Sequence, residues 1–265
     1  MNRYILGSAK KELKRLKIQS TIFERETLET LKLAGIKPGM HCVDIGCGIG
    51  DVSFIMAKLV GKTGSVIGID TNKDVIEFCK KRARKENVKN IKFFAGSIYE
   101  NRLKKNSFDF LFSRFLFQHL AEPKAALREM IKLVRRGGTI AAEENDHGMW
   151  LSYPPSSGFE KLRSAYIGVL RLAKGDELVA RKLYGLFLGA GLNANVGVYS
   201  ICIPMGKPSS ILGILVAEVL KSKILETKLM GPKEFGKMLS ELKEYARRKE
   251  GLALYALTFR VWGKK

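Results

Sequence analysis

Glutamine is nearly missing from this chain: Gln19 and Gln118 are the only two among 265 residues. Acidic residues are also scarce beside basic ones, 26 against 47, which leaves a formal net charge of +21. Cysteine is limited to Cys42, Cys47, Cys79 and Cys202, with no Cys-x-x-Cys pair. His41, His119 and His147 do not stand at metal-ligand spacing from them, so no metal site is expected. A chain of this length can fill its own core, which removes the need for a disulfide framework and makes buried free thiols the expectation. No stretch approaches the roughly 20 apolar residues of a membrane span. The most apolar helical segment, 211–220, is short and contains Glu218. Behind Lys10, Lys11, Lys14 and Arg15 there is no apolar core or small-residue cleavage site, so no secretory signal is read and a cytoplasmic protein is expected.

The charge excess admits two readings. Lysine and glutamate interleave, as in Lys233, Glu234, Lys237, Glu241, Lys243 and Glu244, which with little glutamine describes a solvated, heat-adapted surface. The alternative is attraction to nucleic acid, with the run 80–92 as the densest place for the contact.

Apolar positions at helical spacing (Leu13, Leu16, Ile22, Phe23, Leu28, Leu31) predict one or two amphipathic helices over 8–33, ended by Ile36-Lys-Pro-Gly39. Short strand-like runs follow at 40–45, 65–69, 91–95, 108–112 and 139–142, with helical sequence at 51–59, 72–86 and 122–134. The glycines of Arg135-Arg136-Gly137-Gly138 are expected to cap the last of these helices. Alternation of this kind predicts a doubly wound α/β fold with parallel strands joined by right-handed crossovers. A long helical stretch at 159–188 ends at Gly189-Ala-Gly191, and β-rich segments at 195–203 and 252–261 bring the sheet to seven strands. The expected organisation is one domain, 1–265. It comprises a helical lid over 1–39, a core over 40–203 and 252–265, and a helical insert over 204–251 capping the substrate.

The most informative motif is Val43-Asp-Ile-Gly46-Cys-Gly48-Ile-Gly50, between the first strand and its helix. Such a turn lets backbone approach a ligand, and the helix behind it presents unpaired N–H groups. A dinucleotide fingerprint would place its third glycine at position 51, which is Asp51, and the Gly-Lys-Ser/Thr ending of a P-loop is absent. An acid there also disfavours a pyrophosphate. Asp70 ends the second strand about twenty residues later, where a carboxylate can accept both hydroxyls of a ribose.

With these features the chain resembles the class I S-adenosylmethionine-dependent methyltransferases. The likeness extends to Ala95-Gly-Ser-Ile98, to Phe108-Asp-Phe-Leu-Phe-Ser-Arg114 with Phe117-Gln-His119-Leu, to Val134-Arg-Arg-Gly-Gly138, and to the tail 254–265. It implies a Rossmann-like fold and S-adenosylmethionine as cofactor, with S-adenosylhomocysteine as product. Gly46, Gly48 and Gly50 would flank the methionine moiety, and Asp70 would hold the ribose. Ser97 and Ile98 would border the adenine, although Ser97 departs from the family's usual Asp and offers a weaker contact. Asp44, Cys47 and Thr71, within the same two turns, are counted with this site. The N-terminal Tyr4-x-x-Gly-Ser8 and Glu12-Leu-x-Arg15-Leu-x-x-x-Gln19 resemble the lid helix of a small-molecule subgroup. Tyr4 and Gln19 would then close over the methionine end, and Arg114 would pair with its carboxylate.

Methyl transfer is an in-line displacement, so the protein's tasks are orienting the acceptor and excluding water; a base is needed only where the acceptor must lose a proton. Candidates for such a base at the strand ends are His119, Glu143, Glu144, Asp146 and His147, with Glu143, His147 and His119 put first. The adenine-N6 motif is absent after the fourth strand, where the chain reads Ser113-Arg-Phe-Leu, and no Pro-Cys nucleophile or RNA-binding module is present. A small-molecule acceptor is therefore the expectation. An RNA or protein methyltransferase using the basic surface is the alternative, and a cofactor-binding protein without transfer activity the third reading. Ile211, Leu212, Ile214, Leu215, Val216 and Leu220 exceed one core-facing stripe, which suits an apolar substrate pocket or a homodimer interface.

Overall fold

The computed structural model describes residues 9–265. One long helix, α1 (Ala9–Leu33), precedes an alternating series: β1 (His41–Ile45), α2 (Asp51–Val60), β2 (Ser65–Asp70), α3 (Lys73–Lys85), β3 (Ile91–Ala95), β4 (Phe108–Arg114), α4 (Pro123–Leu133) and β5 (Val134–Asp146). The second half continues with β6 (Leu151–Tyr153), α5 (Ser157–Leu172), α6 (Val179–Gly189), β7 (Asn193–Pro204), α7 (Leu212–Glu226), α8 (Pro232–Tyr245) and β8 (Leu252–Lys264).

The strands form one sheet in the order β3-β2-β1-β4-β5-β8-β6, with β7 also paired to β8. The pairs from β3 to β5 are parallel, and β8 runs antiparallel to β5, β6 and β7. The expected seven strands are joined by an eighth, the short β6. Each sheet face carries its own apolar layer, because successive strand residues point to opposite sides. Cys42, Val66 and Phe110 pack with Leu31 of α1, Met56 of α2 and Cys79 of α3. Val43, Leu111 and Ile140 pack instead with Leu127 and Met130 of α4 and Leu183 and Phe187 of α6. A third core lies beyond the sheet edge, where Phe159 and Leu162 of α5 meet Val216 and Leu220 of α7 and Met238 and Leu242 of α8.

Four details differ from the sequence reading. The stretch 159–188 is two helices, since the chain turns at Lys174, which has φ 61°, and Gly175 N–H bonds back to the Leu170 carbonyl. Gly137 and Gly138 do not cap α4: Val134 ends that helix in extended conformation, and both glycines lie within β5. Cys202 is exposed on β7, unlike the other three thiols. Most of the apolar surplus of α7 is absorbed within the chain, because the helix packs against α1, α5 and α8, while Leu212 and Val216 line a cavity.

Candidate active site

The carboxyl ends of β1, β2, β4 and β5 open onto one cavity, roofed by α1 and α7. Its lining includes Gln19, Asp44, Gly46, Cys47, Gly48, Asp70, Thr71, Ser97, Ile98 and Arg114, the residues assigned to the cofactor by resemblance. Two assigned residues are exceptions. Gly50 caps α2 and faces Phe93 and Cys79 rather than the cavity. Tyr4 lies outside the described residues.

The turn after β1 is held by the next strand: the N–H groups of Gly46 and Cys47 both donate to the Ile69 carbonyl. Gly48 has φ +52°, and a Cβ built there would meet nothing within 4 Å, so the missing side chain leaves open space above the backbone. Asp70 is 5% exposed and accepts from Gly48 N at 3.0 Å through one oxygen and from Asn72 N at 2.9 Å through the other. Burial raises its pKa against these N–H bonds. Each oxygen keeps a lone pair, so the carboxylate can still accept two hydroxyls. Asp44 accepts from the Ser53 hydroxyl at 2.5 Å, and burial lifts its pKa to about 6. Asp51 pairs with Arg82, whose guanidinium lies 4.2 Å from the centre of the Phe54 ring; this neutralises the acid at the start of α2.

Arg114 ends β4 in the same cavity, and among the described residues it enters no ion pair within 4 Å. Its Nη1 donates to Thr27 Oγ1 at 2.9 Å, and Thr27 in turn donates to Glu143 at 2.7 Å. Glu143 also accepts from Thr30 at 2.5 Å and is fully buried. It is absent from the cavity lining, so the structure does not bring this expected base to the cavity wall; through Thr27 it supports Arg114 from behind. Burial raises its pKa, with the Arg114 charge opposing. Glu144, on the opposite side of β5, accepts the N–H groups of Leu116 and Phe117, each at 2.6 Å, and anchors the loop after β4. Burial pushes its pKa up to about 8. Asp146 is held by Arg181 at 2.6 Å.

Both histidine candidates do line the cavity. The indole N–H of Trp150 donates to His147 Nδ1 at 3.2 Å, so the His147 proton sits on Nε2 and is given to Gln118 Oε1. The Gln118 amide nitrogen donates to the Phe115 carbonyl at 3.2 Å and to His119 Nε2 at 3.3 Å. Burial, foremost, holds His147 down to about 3 and His119 to about 4, so both rings are neutral near pH 7.

Several cavity residues were given no role in the site from the sequence: Arg15, Gln118, Asn145, Trp150, Tyr166 and Tyr255. One signal was available, because the only two glutamines of the chain, Gln19 and Gln118, both reach this cavity. The aromatic residues carry no local signature and are gathered by packing alone.

A sheet of this order, with the glycine turn and an acidic residue at adjacent strand ends, defines a Rossmann-like methyltransferase fold. The chain belongs to the methyltransferase-domain family, whose model matches residues 36–179. Demethylmenaquinone methyltransferase of Lactococcus lactis is 29% identical over 119 residues, 45% of this chain and 47% of that protein. The Staphylococcus aureus protein of the same name is 29% identical over 136 residues, 51% of this chain and 53% of its own length. The chain thus spans about half the length of these curated relatives. The crystal structure of a SAM-dependent methyltransferase from Aquifex aeolicus superposes with a TM-score of 0.54 at 23% identity, covering 71% of this chain and 92% of the other. At that identity the likeness is one of fold.

Proposed function

We propose that this protein is an S-adenosylmethionine-dependent methyltransferase acting on a small-molecule acceptor in the cytoplasm. The observation that carries this reading is a single cavity with two unlike ends. The glycine turn, Asp70 and Arg114 line one end, and Trp150, Tyr166, Leu212 and Tyr255 line the other. Among the described residues no helix is long and apolar enough to cross a membrane.

The residues fit the cofactor. Asp70 would accept the ribose hydroxyls, the open space at Gly48 would admit the methionine chain, and Arg114 would face its carboxylate. Ser97 and Ile98 would border the adenine. Bound there, S-adenosylmethionine supplies an electrophilic methyl on a sulfonium. The chain's own part is to orient and to exclude water. Helix α1 lays Arg15, Leu16 and Gln19 across the cavity, and α7 adds Leu212 and Val216. Arg15 is fixed by both oxygens of Glu12 at 2.8 Å. The acceptor is not carried over from the relatives, because the family match ends at residue 179, before α7, α8 and β8.

Two measurements test the reading together. Calorimetry should detect S-adenosylhomocysteine binding, and a screen with methyl-labelled cofactor over metabolite and RNA pools should label a metabolite. Absent binding, or label in RNA alone, overturns it.

A further inference from the structure

Resting on that reading of the cavity, we propose that Glu144 is a positioning residue for methyl transfer: it holds the loop after β4 in a strained conformation, through which Leu116 and Gln118 reach the two ends of the site. The backbone comes first. Among the described residues, five other than glycine take a left-handed φ: Asn87, Asn106, Lys174, Lys228 and Phe115. The first four lie in exposed turns. Phe115 is the exception, with φ 56° and 8% exposure. A bulky side chain disfavours that region, and such outliers persist only where their surroundings over-determine them.

The surroundings of Phe115 do so. Its N–H donates to the Glu143 carbonyl at 2.8 Å, and its ring packs edge-on to Phe23 of α1 at 4.9 Å. Leu116 follows in right-handed conformation, at φ −100° and ψ −49°. A left-handed residue followed by a right-handed one turns successive N–H groups toward one point. The fully buried Glu144 carboxyl stands at that point. One oxygen takes the N–H groups of Leu116 and Phe117, each at 2.6 Å, and the other faces the Gln118 N–H at 3.4 Å. Without an acceptor there, these N–H groups would lose their partner and nothing would offset the strain at Phe115.

The side chains that this loop carries give the strain its use. Leu116 covers the glycine turn: a Cβ built on Gly46 would lie 3.0 Å from Leu116 Cδ1. Two residues on, the Gln118 side chain accepts the His147 ring proton through its oxygen and donates through its nitrogen to the Phe115 carbonyl at 3.2 Å. The Asp176 N–H fixes the Gln118 main-chain carbonyl at 3.0 Å. Residues 115–118 therefore touch the cofactor end through Leu116 and the acceptor end through Gln118, and Glu144 sets both at once. Orientation is the protein's main contribution to an in-line displacement. A purely stabilising role is the rival, and it would leave both contacts intact in the folded fraction.

The test uses the full chain and two readouts. Calorimetry with S-adenosylhomocysteine reports the cofactor end, and the nitrogen-15 signal of His147 Nε2–H, recorded without cofactor, reports the other. Glu144→Leu removes the acceptor at similar volume. In the folded fraction it should weaken S-adenosylhomocysteine about tenfold and shift or broaden the His147 signal. Glu144→Gln keeps an oxygen for Leu116 and Phe117, and should restore the signal and bring the affinity to within about threefold of the unaltered chain. If Glu144→Leu does not fold, a second pair decides. Phe115→Gly and Phe115→Ala both lose the ring, so they differ in how readily position 115 takes a left-handed φ. Phe115→Gly should bind S-adenosylhomocysteine about fivefold more tightly than Phe115→Ala and keep the His147 signal. A folded Glu144→Leu with both readouts unchanged, Glu144→Gln as damaging as Glu144→Leu, or equal behaviour of the Phe115 pair overturns the proposal. Failure of S-adenosylhomocysteine to bind the unaltered chain counts against the methyltransferase reading alone, since the His147 signal still tests Glu144.

Discussion

At one end of the cavity, main-chain N–H groups within a short stretch of chain hold Asp70, and the glycine turn beside it follows directly from β1. At the other end, Arg15, His119, His147, Tyr166, Leu212 and Tyr255 arrive from places scattered over most of the sequence. The first end is made by local turn chemistry, where spacing alone dictates which backbone atoms converge. The second is made by the third apolar core, in which α5, α7 and α8 pack beyond the sheet edge and bring the aromatic side chains together. A site of the first kind survives wherever the strand and turn survive. A site of the second kind depends on the stability of the helices behind it, so the two ends should respond differently to the same perturbation.

The strongest test of that contrast removes a large side chain from the third core. Phe159 is 2% exposed and packs 4.9 Å from Tyr255 and 5.5 Å from Trp150. Phe159→Ala should cost about 3–5 kcal/mol of stability in chemical denaturation. In the folded fraction, S-adenosylhomocysteine binding should persist; its loss in that fraction would dissolve the distinction. Asp70→Ala is the converse. It should weaken S-adenosylhomocysteine by about 1–3 kcal/mol in calorimetry, for a lost pair of charged hydrogen bonds. An unmoved cofactor affinity would mean the ribose lies elsewhere.

The same contrast explains how much could be read before the structure. The alternation from β1 to β5 and the spacing of Gly46, Gly48 and Asp70 are local patterns, and the structure reproduces the elements they predict. The break between α5 and α6 was missed in reading 159–188 as one helical stretch, although Lys174-Gly175-Asp176 carries turn chemistry inside it. The role of Glu143 was not. Strand periodicity sets it and Glu144 on opposite faces of β5, but only the placement of α1 over the sheet determines that Thr27 and Thr30 cover it. Nor could spacing reveal that Trp150 sets the tautomer of His147, because that bond depends on the turn between β5 and β6.

The histidine pair offers a smaller effect with a definite sign. His147 is held from an ordinary value of 6.5 down to about 3 by burial. Between those values the unfolded chain binds a proton that the folded chain refuses. The neutral ring therefore contributes stability above pH 6.5 that is lost as pH falls toward the folded value. Relative to His147→Gln, the unaltered protein should lose about 1.4 kcal/mol per pH unit below that point, read from urea midpoints. A flat difference between pH 7 and 4.5 would mean that the ring is not desolvated.

The smallest expected effect concerns the group that ties α1 to the cofactor end. Thr27 accepts from Arg114 and donates to Glu143, so it transmits the position of α1 to the guanidinium at the cofactor end. Thr27→Val keeps the shape of the side chain and removes both bonds. Glu143 retains Thr30, which limits the damage to the fold, while Arg114 loses the partner that fixes its direction. S-adenosylhomocysteine should bind about 0.5–1.5 kcal/mol more weakly, the ordinary worth of one such bond. If Arg114 does face the methionine carboxylate, the loss should vanish for 5′-methylthioadenosine, which lacks that group. An equal loss for both ligands would instead place the effect of Thr27 in the fold, and Arg114 away from the carboxylate.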